Sequence, residues 1–248
     1  MLTREIKSLQ HPIVKHLFKV RSDRHYRQSE NSAFILGDKM IFELPGTIQL
    51  KTLLLAEELE LPKHIKAEKL FRVSSAILKK ISGMQNPESI AAEVALPKMC
   101  DLAQKNYLIA LDGVSDPGNL GTLLRSALAL GWEGAFITSS SADPFNDKAL
   151  RAAKGATFRL PIQIGTLDEL EELIRANHAS VCIADLEGRP LQKAEVRPPL
   201  MLVFGNESKG VSPRLKKSAQ ALCIPMHGAM DSLNVAAAAA IFMYTIKG

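Results

Sequence analysis

Three short stretches hold most of the residues whose types and spacing suit chemistry: LDGVSDPGNLGTLLRSA from Leu111, VFGNESKGVS from Val203 and DSLNVAAAAAIFMY from Asp231. In the first, Gly113, Gly118 and Gly121 let backbone come close to a ligand, and Pro117 with Asn119 forms a turn that opens a helix. Arg125 follows among apolar neighbours, which places it on the buried side of that helix. A guanidinium there needs an anionic or polar partner, and an ordinary ion pair to a neighbouring loop would satisfy it equally well. The stretch is not GxGxxG, and no Lys-Ser/Thr follows as a P-loop requires, so a nucleotide-phosphate cradle is disfavoured. In the second stretch, Glu207 has three readings: a proton acceptor, a partner for Arg125, or the first-turn acid of the next helix. In the third, Ser232 reads as a helix N-cap and Asn234 as a residue just inside the helix, where asparagine is disfavoured. The five alanines from Ala236 let that helix approach its neighbours closely.

These residues need elements to hold them. From Ile6 to about Ala95 the chain alternates short segments: a helix over Pro12 to Arg27, strands at AFILG, TLLLA, KLFRV and SIAAEVAL, and helices near Lys39 to Leu44 and over Ser75 to Ile81. From Tyr107 onward, strands YLIALDGV, GAFIT, SVCIADL, PPLMLVFGNE and ALCIPM alternate with helices, two of them at LRSALAL and DKALRAA. The expected fold class is α/β, with a small α/β domain over 1–96, a linker over 97–106, and a mostly parallel sheet with helices on both faces over 107–248. In such a sheet, ligands sit beyond the carboxyl ends of the strands, where the three stretches fall.

At 248 residues, with 46% hydrophobic and 23% charged residues, the chain has ordinary globular composition. Cys100, Cys182 and Cys223 form no CxxC pair, so neither a disulfide framework nor a metal site is indicated, and a reducing, cytoplasmic setting is expected. No window reaches the ~18 apolar residues of a membrane span. Residues 1–106 hold 17 Lys/Arg against 12 Asp/Glu, whereas 107–248 hold 14 of each, so the +5 net charge lies wholly in the first part. The opening segment carries Lys15, Lys19, Arg21, Arg24 and Arg27 with His11, His16, His25 and Tyr26 interleaved. This suits a phosphate backbone as well as a solvated helix face.

NLGTLLRSA, VFGNESKGVS and IPMHGAMDSLNVAAAAA, in order and spacing, resemble the three motifs of the SpoU (TrmH-like) RNA ribose methyltransferases of the SPOUT superfamily. The resemblance covers 107–248, and residues 6–44 are similar to the family's N-terminal substrate-binding domain, itself like small ribosomal RNA-binding proteins. It implies methyl transfer from S-adenosylmethionine to a ribose 2'-hydroxyl in ribosomal or transfer RNA, with ribosomal RNA the first expectation. It also implies a deep C-terminal trefoil knot, a homodimer with active sites at the subunit interface, and no metal. Carried over by position, Asn119, Arg125, Glu207, Ser232 and Asn234 match the family's active-site residues, and Gly205, Ile224 and Leu233 match positions that hold the cofactor.

The family mechanism has the motif-one arginine take the hydroxyl proton with help from an RNA phosphate. A guanidinium pKa above ~12 makes that awkward. Arg125 is therefore read as the anchor of the phosphate beside the target ribose and the stabiliser of the developing alkoxide. Three positions depart from the family pattern: Ser208 replaces a glycine, Asp147 a proline, and Gly37-Asp38-Lys39 a Glu-Gly pair. A dehydrogenase would share the architecture but needs the GxGxxG and a later acid that are missing here. A non-catalytic RNA-binding protein of the same fold is the other alternative. It is disfavoured because all five polar motif residues persist.

Overall fold

The computed structural model describes residues 4–56, 59–62, 65–226, 228 and 232–247. His227 and residues 229–231, which belong to the third motif, lie outside the described residues. Two compact units form: Met1–Lys98 with Phe145–Phe158, and Met99–Pro144 with Arg159–Gly248.

The first unit runs β1 (Arg4–Ile6), α1 (Pro12–Ser22), α2 (Arg24–Glu30), β2 (Ser32–Leu36), α3 (Asp38–Phe42), β3 (Leu50–Ala56), β4 (Lys69–Val73), α4 (Ser75–Ser82) and β5 (Ile90–Ala95). Its sheet has the order β1-β4-β3-β5-β2, parallel across the first three strands and antiparallel across the last three. The single helix expected over Pro12 to Arg27 is two helices. Asp23 takes an extended conformation, and its carboxylate accepts a hydrogen bond from the Tyr26 N–H at 3.0 Å, so it stops α1 and caps α2. Val14, Leu17 and Val20 of α1 pack with Ile77 and Ile81 of α4 over Phe34, Leu54 and Phe71 of the sheet.

Several polar residues of the basic segment turn inward. His16 contacts buried Glu93 through Nε2 at 3.0 Å and the Tyr26 hydroxyl through Nδ1 at 2.9 Å, while Ser32 and Thr52 donate to the same carboxylate at 2.9 Å each. Burial works against the charge on Glu93, but these hydrogen bonds outweigh it and hold the carboxyl below its ordinary value. Arg27 is buried and donates to the carbonyls of Val20 and Arg21. His16, Tyr26 and Arg27 thus build the first unit instead of lining a phosphate track.

The second unit begins with β6 (Tyr107–Asp112), α5 (Pro117–Ala129) and β7 (Gly134–Thr138). The next helix, α6 (Asp147–Ala153), packs in the first unit through buried Ala149, Leu150 and Ala153. Then come β8 (Ile162–Gly165), α7 (Leu167–Ala176), β9 (Ser180–Pro190), β10 (Leu200–Gly205), α8 (Pro213–Lys216), β11 (Gln220–Cys223) and α9 (Val235–Lys247). All six strands are parallel, in the order β11-β9-β10-β6-β7-β8. On one face Leu108, Ala110, Met201, Val203 and Phe136 meet Leu170 and Leu173 of α7 and Leu215 of α8. On the other, Phe204 meets Phe242 of α9 edge-on at 6.2 Å. Both faces are therefore covered, which is why β6 and β10 read as unbroken apolar runs.

Two departures from the family pattern have local explanations. Asp147 occupies the first helical position of α6 after the Asn146 cap, a position that tolerates proline because its N–H has no intrahelical partner; an acid there suits the helix dipole. Ser208 has no positive φ, so its loop accepts a side chain without backbone strain.

Candidate active site

The site forms where β6, β10 and β11 end and where the middle of β9 leaves its ladder. Gly205 pairs in register with Asp112, so the loops after β10 and β6 leave the sheet side by side. The β10 loop folds back at once: Asn206 and Gly210 exchange backbone hydrogen bonds at 3.0 and 2.8 Å. The Asn206 side chain supports this turn from both ends. Its Oδ1 accepts from the N–H groups of Ser208 and Lys209 at 3.0 Å, and its Nδ2 donates to the Gly113 carbonyl at 2.8 Å. Asp112 adds a second tie, accepting from the Ser212 N–H at 2.7 Å.

Glu207 fastens this loop to the start of α5. Its Oε2 accepts from the Ser115 hydroxyl at 2.7 Å and the Ser115 N–H at 3.1 Å; Oε1 accepts from the Asp116 N–H at 3.2 Å and from Asn119 Nδ2 at 3.1 Å. Burial opposes the charge, but the hydrogen bonds from Ser115 and Asn119 win and bring the carboxyl from 4.5 down to about 2. An acid that weakly basic stays ionised at neutral pH and is a poor proton acceptor. None of the three readings of Glu207 describes its partners: it accepts from Ser115, Asp116 and Asn119 and so positions the start of α5, and Arg125 is not among those partners.

Asn119 Oδ1 accepts in turn from Asn234 Nδ2 at 3.0 Å. Asn234 is also the residue that caps α9: its Oδ1 accepts from the N–H groups of Ala236 at 2.9 Å and Ala237 at 3.3 Å. Ser232, expected to be the cap, is exposed two residues earlier. The cap moves to Asn234 because α9 starts at Val235, and there the short amide serves both the helix and the neighbouring loop. Asn234→Ala should therefore lower stability by about 1 kcal/mol, or about 2–4 °C in Tm, while Ser232→Ala stays within about 0.5 kcal/mol. Thermal unfolding of the two variants side by side checks this.

Beside the Glu207–Asn119–Asn234 chain lies a cavity of about 440 Å³. Its polar wall includes Asn206, Glu207, Ser232 and Asn234; Ile224, Leu233, Leu186 and Phe242 supply apolar surface, with Gly205 between. One wall comes from an interruption in the sheet. Ala221 pairs with Ile183 but Leu222 pairs with Arg189, so Ala184 to Gly188 leave the ladder, and Ala184, Asp185 and Leu186 face the cavity. A Cβ on Gly188 would stand 2.5 Å from backbone atoms of Ala221 and Leu222, which explains a glycine where the chain rejoins β11. Asp185 is held by Lys216 of α8 at 2.7 Å. The sequence reading missed this wall; the signal available was a strand run, SVCIADLEGRP, too long and too polar at its end for a regular ladder.

Arg125 does not line the cavity, and it is exposed. The expectation of a buried-side guanidinium is corrected by helix geometry. On α5 the buried residues are Leu120, Gly121, Leu123, Leu124 and Ala127, whereas Thr122, Arg125 and Ala129 form an outward stripe. Apolar neighbours in sequence flank Arg125 without covering it.

The SpoU rRNA methylase family matches residues 106–244, the part of the chain that builds this cavity and its hydrogen-bond chain. The chain belongs to the SpoU rRNA methylase family. Residues 11–92 match the MRM3-like substrate binding domain. Among SpoU relatives, the chain is 31% identical to the 23S rRNA (guanosine(2553)-2'-O)-methyltransferase of Bacillus subtilis, over 99% of this chain and all of that protein. It is 27% identical to the 23S rRNA (uridine(2479)-2'-O)-methyltransferase of Streptomyces viridochromogenes, over 75% of this chain and 69% of that one. A crystal structure of an AdoMet-bound rRNA methyltransferase from Sinorhizobium meliloti superposes with a TM-score of 0.88 at 26% identity, covering 98% of this chain and 97% of that one.

One pH effect follows from the geometry around Glu207. Its folded pKa is depressed, so the support it gives is complete above the ordinary value of 4.5 and is lost as pH falls through about 2. The Tm difference between wild type and Glu207→Gln should be constant from neutral pH down to about pH 5 and close toward pH 2. A difference unchanged at low pH would show that the carboxylate is not held by these partners.

Proposed function

We propose that this protein methylates the 2'-hydroxyl of a ribose in ribosomal RNA, using S-adenosylmethionine. The observation that carries the reading is the conjunction of the cavity with the Glu207–Asn119–Asn234 chain on a SpoU fold. The cavity's size falls within the ~300–1,000 Å³ usual for cofactor sites. Its walls also suit a nucleoside with a polar tail: Ile224, Leu233 and Leu186 for the ring system, amide and hydroxyl groups for the remainder. When bound, the cofactor supplies an electrophilic methyl on a sulfonium.

Gly205, Ile224 and Leu233 hold the cofactor. Glu207, locked in its ionised form, fixes Asn119 and the start of α5, and Asn119 with Asn234 fixes the start of α9. Ser232 stands at the cavity mouth, where it orients the incoming groups. Arg125, six residues along α5 from Asn119, binds the phosphate beside the target ribose and stabilises the alkoxide as the hydroxyl proton passes to solvent water. Residues 107–248 carry this chemistry, and residues 1–96 bind RNA.

Two features of assembly complete the proposal. The C-terminal segment forms a deep trefoil knot. β11 lies beyond β9 at one edge of the sheet, yet α9 returns to pack on α5, with Trp132 Nε1 donating to the Met243 carbonyl at 3.4 Å. The chain works as a homodimer, supported by the exposed apolar stripe of Ala237, Ile241 and Tyr244 along α9. The setting proposed is the cytoplasm.

The test is to map 2'-O-methyl sites on total RNA with and without the gene. One ribosomal site should disappear, and identical maps would overturn the reading. The named base differs between the two curated relatives, so the map also identifies the nucleotide.

A further inference from the structure

With His16, Tyr26 and Arg27 turned inward, the first unit still presents a concentrated positive surface. Helices α1 and α4 pack against each other and carry Lys15, Lys19, Arg21, Lys79 and Lys80 without a single acidic residue. Arg21 has a counter-charge in Asp147 at 3.7 Å, so the lysines dominate the field. On α1 the outward residues Lys15, Phe18, Lys19 and Ser22 recur at the i, i+3, i+4, i+7 spacing of one helix face. Three of them suit water. Phe18 does not, yet its ring is 41% exposed between the two lysines.

The ring is also held in place. The Arg21 guanidinium carbon lies 5.4 Å from its centroid, one turn along the helix. Among the described residues of this unit Leu9 is the other large apolar side chain that is exposed, and Lys80 donates to the Leu9 carbonyl at 2.9 Å. One ring and one leucine are too little apolar surface for a protein interface, which needs a buried apolar centre within roughly 1,000 Å² or more. An aromatic ring set among lysines instead matches single-stranded nucleic acid, whose bases stack on aromatic faces while its phosphates follow the cations. Bases in a duplex are already stacked and offer no free face.

We infer that the α1–α4 face of the first unit captures an unpaired stretch of RNA, with one base stacked on Phe18 and the flanking phosphates on Lys15 and Lys19. The inference rests on the proposed RNA substrate and narrows it to one that contains a single-stranded segment. Phe18 is a substrate-binding residue of the first unit and is not among the residues that line the methyl-transfer cavity.

Full-length protein would be titrated into a short, fluorescently labelled single-stranded oligoribonucleotide, and into the same strand annealed to its complement, with anisotropy as the readout. Wild type should prefer the single strand. Phe18→Ala should weaken single-strand binding by about tenfold and leave duplex binding unchanged, while Phe18→Trp restores it. Lys15→Gln with Lys19→Gln should weaken both and reduce the slope of log affinity against log salt by about 1–2. Equal affinity of Phe18→Ala and wild type for the single strand, or a wild-type preference for the duplex, would overturn the inference. S-adenosylmethionine binding by calorimetry runs alongside. Wild type that binds the single strand through Phe18 but binds no cofactor supports this surface and defeats the methyl-transfer reading, so the two failures are distinguishable.

Discussion

Gly205→Ala should abolish detectable S-adenosylmethionine binding and lower Tm by several degrees. A Cβ at this position would overlap the backbone of Gly210 and Val211, and no flexible side chain is there to give way. Neither can that backbone retreat freely. The Asn206–Gly210 pair closes the turn, Asn206 Nδ2 ties it to the Gly113 carbonyl, and Asp112 holds the Ser212 N–H. Forcing a methyl into a packed region costs about 1–3 kcal/mol, which for a chain of this size is about 2–12 °C. The consequence for the cofactor is larger than the loss of stability. Opening the turn moves Asn206 and Glu207 together, and both line the cavity. Calorimetry with the cofactor and a thermal melt test this, with Ser208→Gly as a control in the same loop that should change neither reading. Unaltered binding and melting in Gly205→Ala would show that the turn is more pliable than its hydrogen bonds indicate.

Arg125→Ala should reduce methyl transfer about 10²–10³-fold, the effect typical of removing a group that stabilises developing negative charge. Cofactor affinity and Tm should stay at wild-type levels, because Arg125 is exposed and does not line the cavity. That separation makes the variant informative. A merely structural arginine would lower stability, and a cofactor ligand would weaken binding. The measurement is incorporation of labelled methyl groups into unmodified ribosomal RNA, with cofactor titration on the same preparations. Full activity would remove Arg125 from the mechanism. Arg125→Lys should recover only part of the rate, since a lysine keeps the charge but not the planar fork that grips a phosphate.

Much of the framework is legible in the sequence. KLFRV and GAFIT span β4 and β7 residue for residue, and the helix expected over Ser75 to Ile81 ends one residue later. These segments are short and apolar, with punctuation at their ends, so local preference and tertiary context agree. β8 and α7 are not among the elements expected from the sequence. There the signal was present, since Thr166 and Glu169 form a capping box in which each side chain meets the other's backbone N–H, ahead of an apolar run at Leu167, Leu170 and Leu173. The break between α1 and α2 was harder to see, because Asp23 is equally ordinary on a solvated helix until its carboxylate is found on the Tyr26 N–H.

By itself, the sequence determined which kinds of residue meet beyond the sheet: two glycine loops and a helix entrance bearing Asn119, Glu207, Ser232 and Asn234, on a chain whose motifs are those of SpoU methylases. Their roles were a tertiary matter. Glu207 is a buttress rather than a base because Ser115 and Asn119 surround its carboxylate, and Asn234 is both cap and clasp because Asn119 lies within 3.0 Å. Arg125 faces outward because α5 buries its opposite side, and Phe18 stands among lysines because α1 buries Val14, Leu17 and Val20 on its other face. Each outcome depends on groups brought together by the fold, up to 115 residues apart in the Asn119–Asn234 contact. A residue's type sets what it is able to do; charge state, orientation and exposure come from the neighbours that packing supplies.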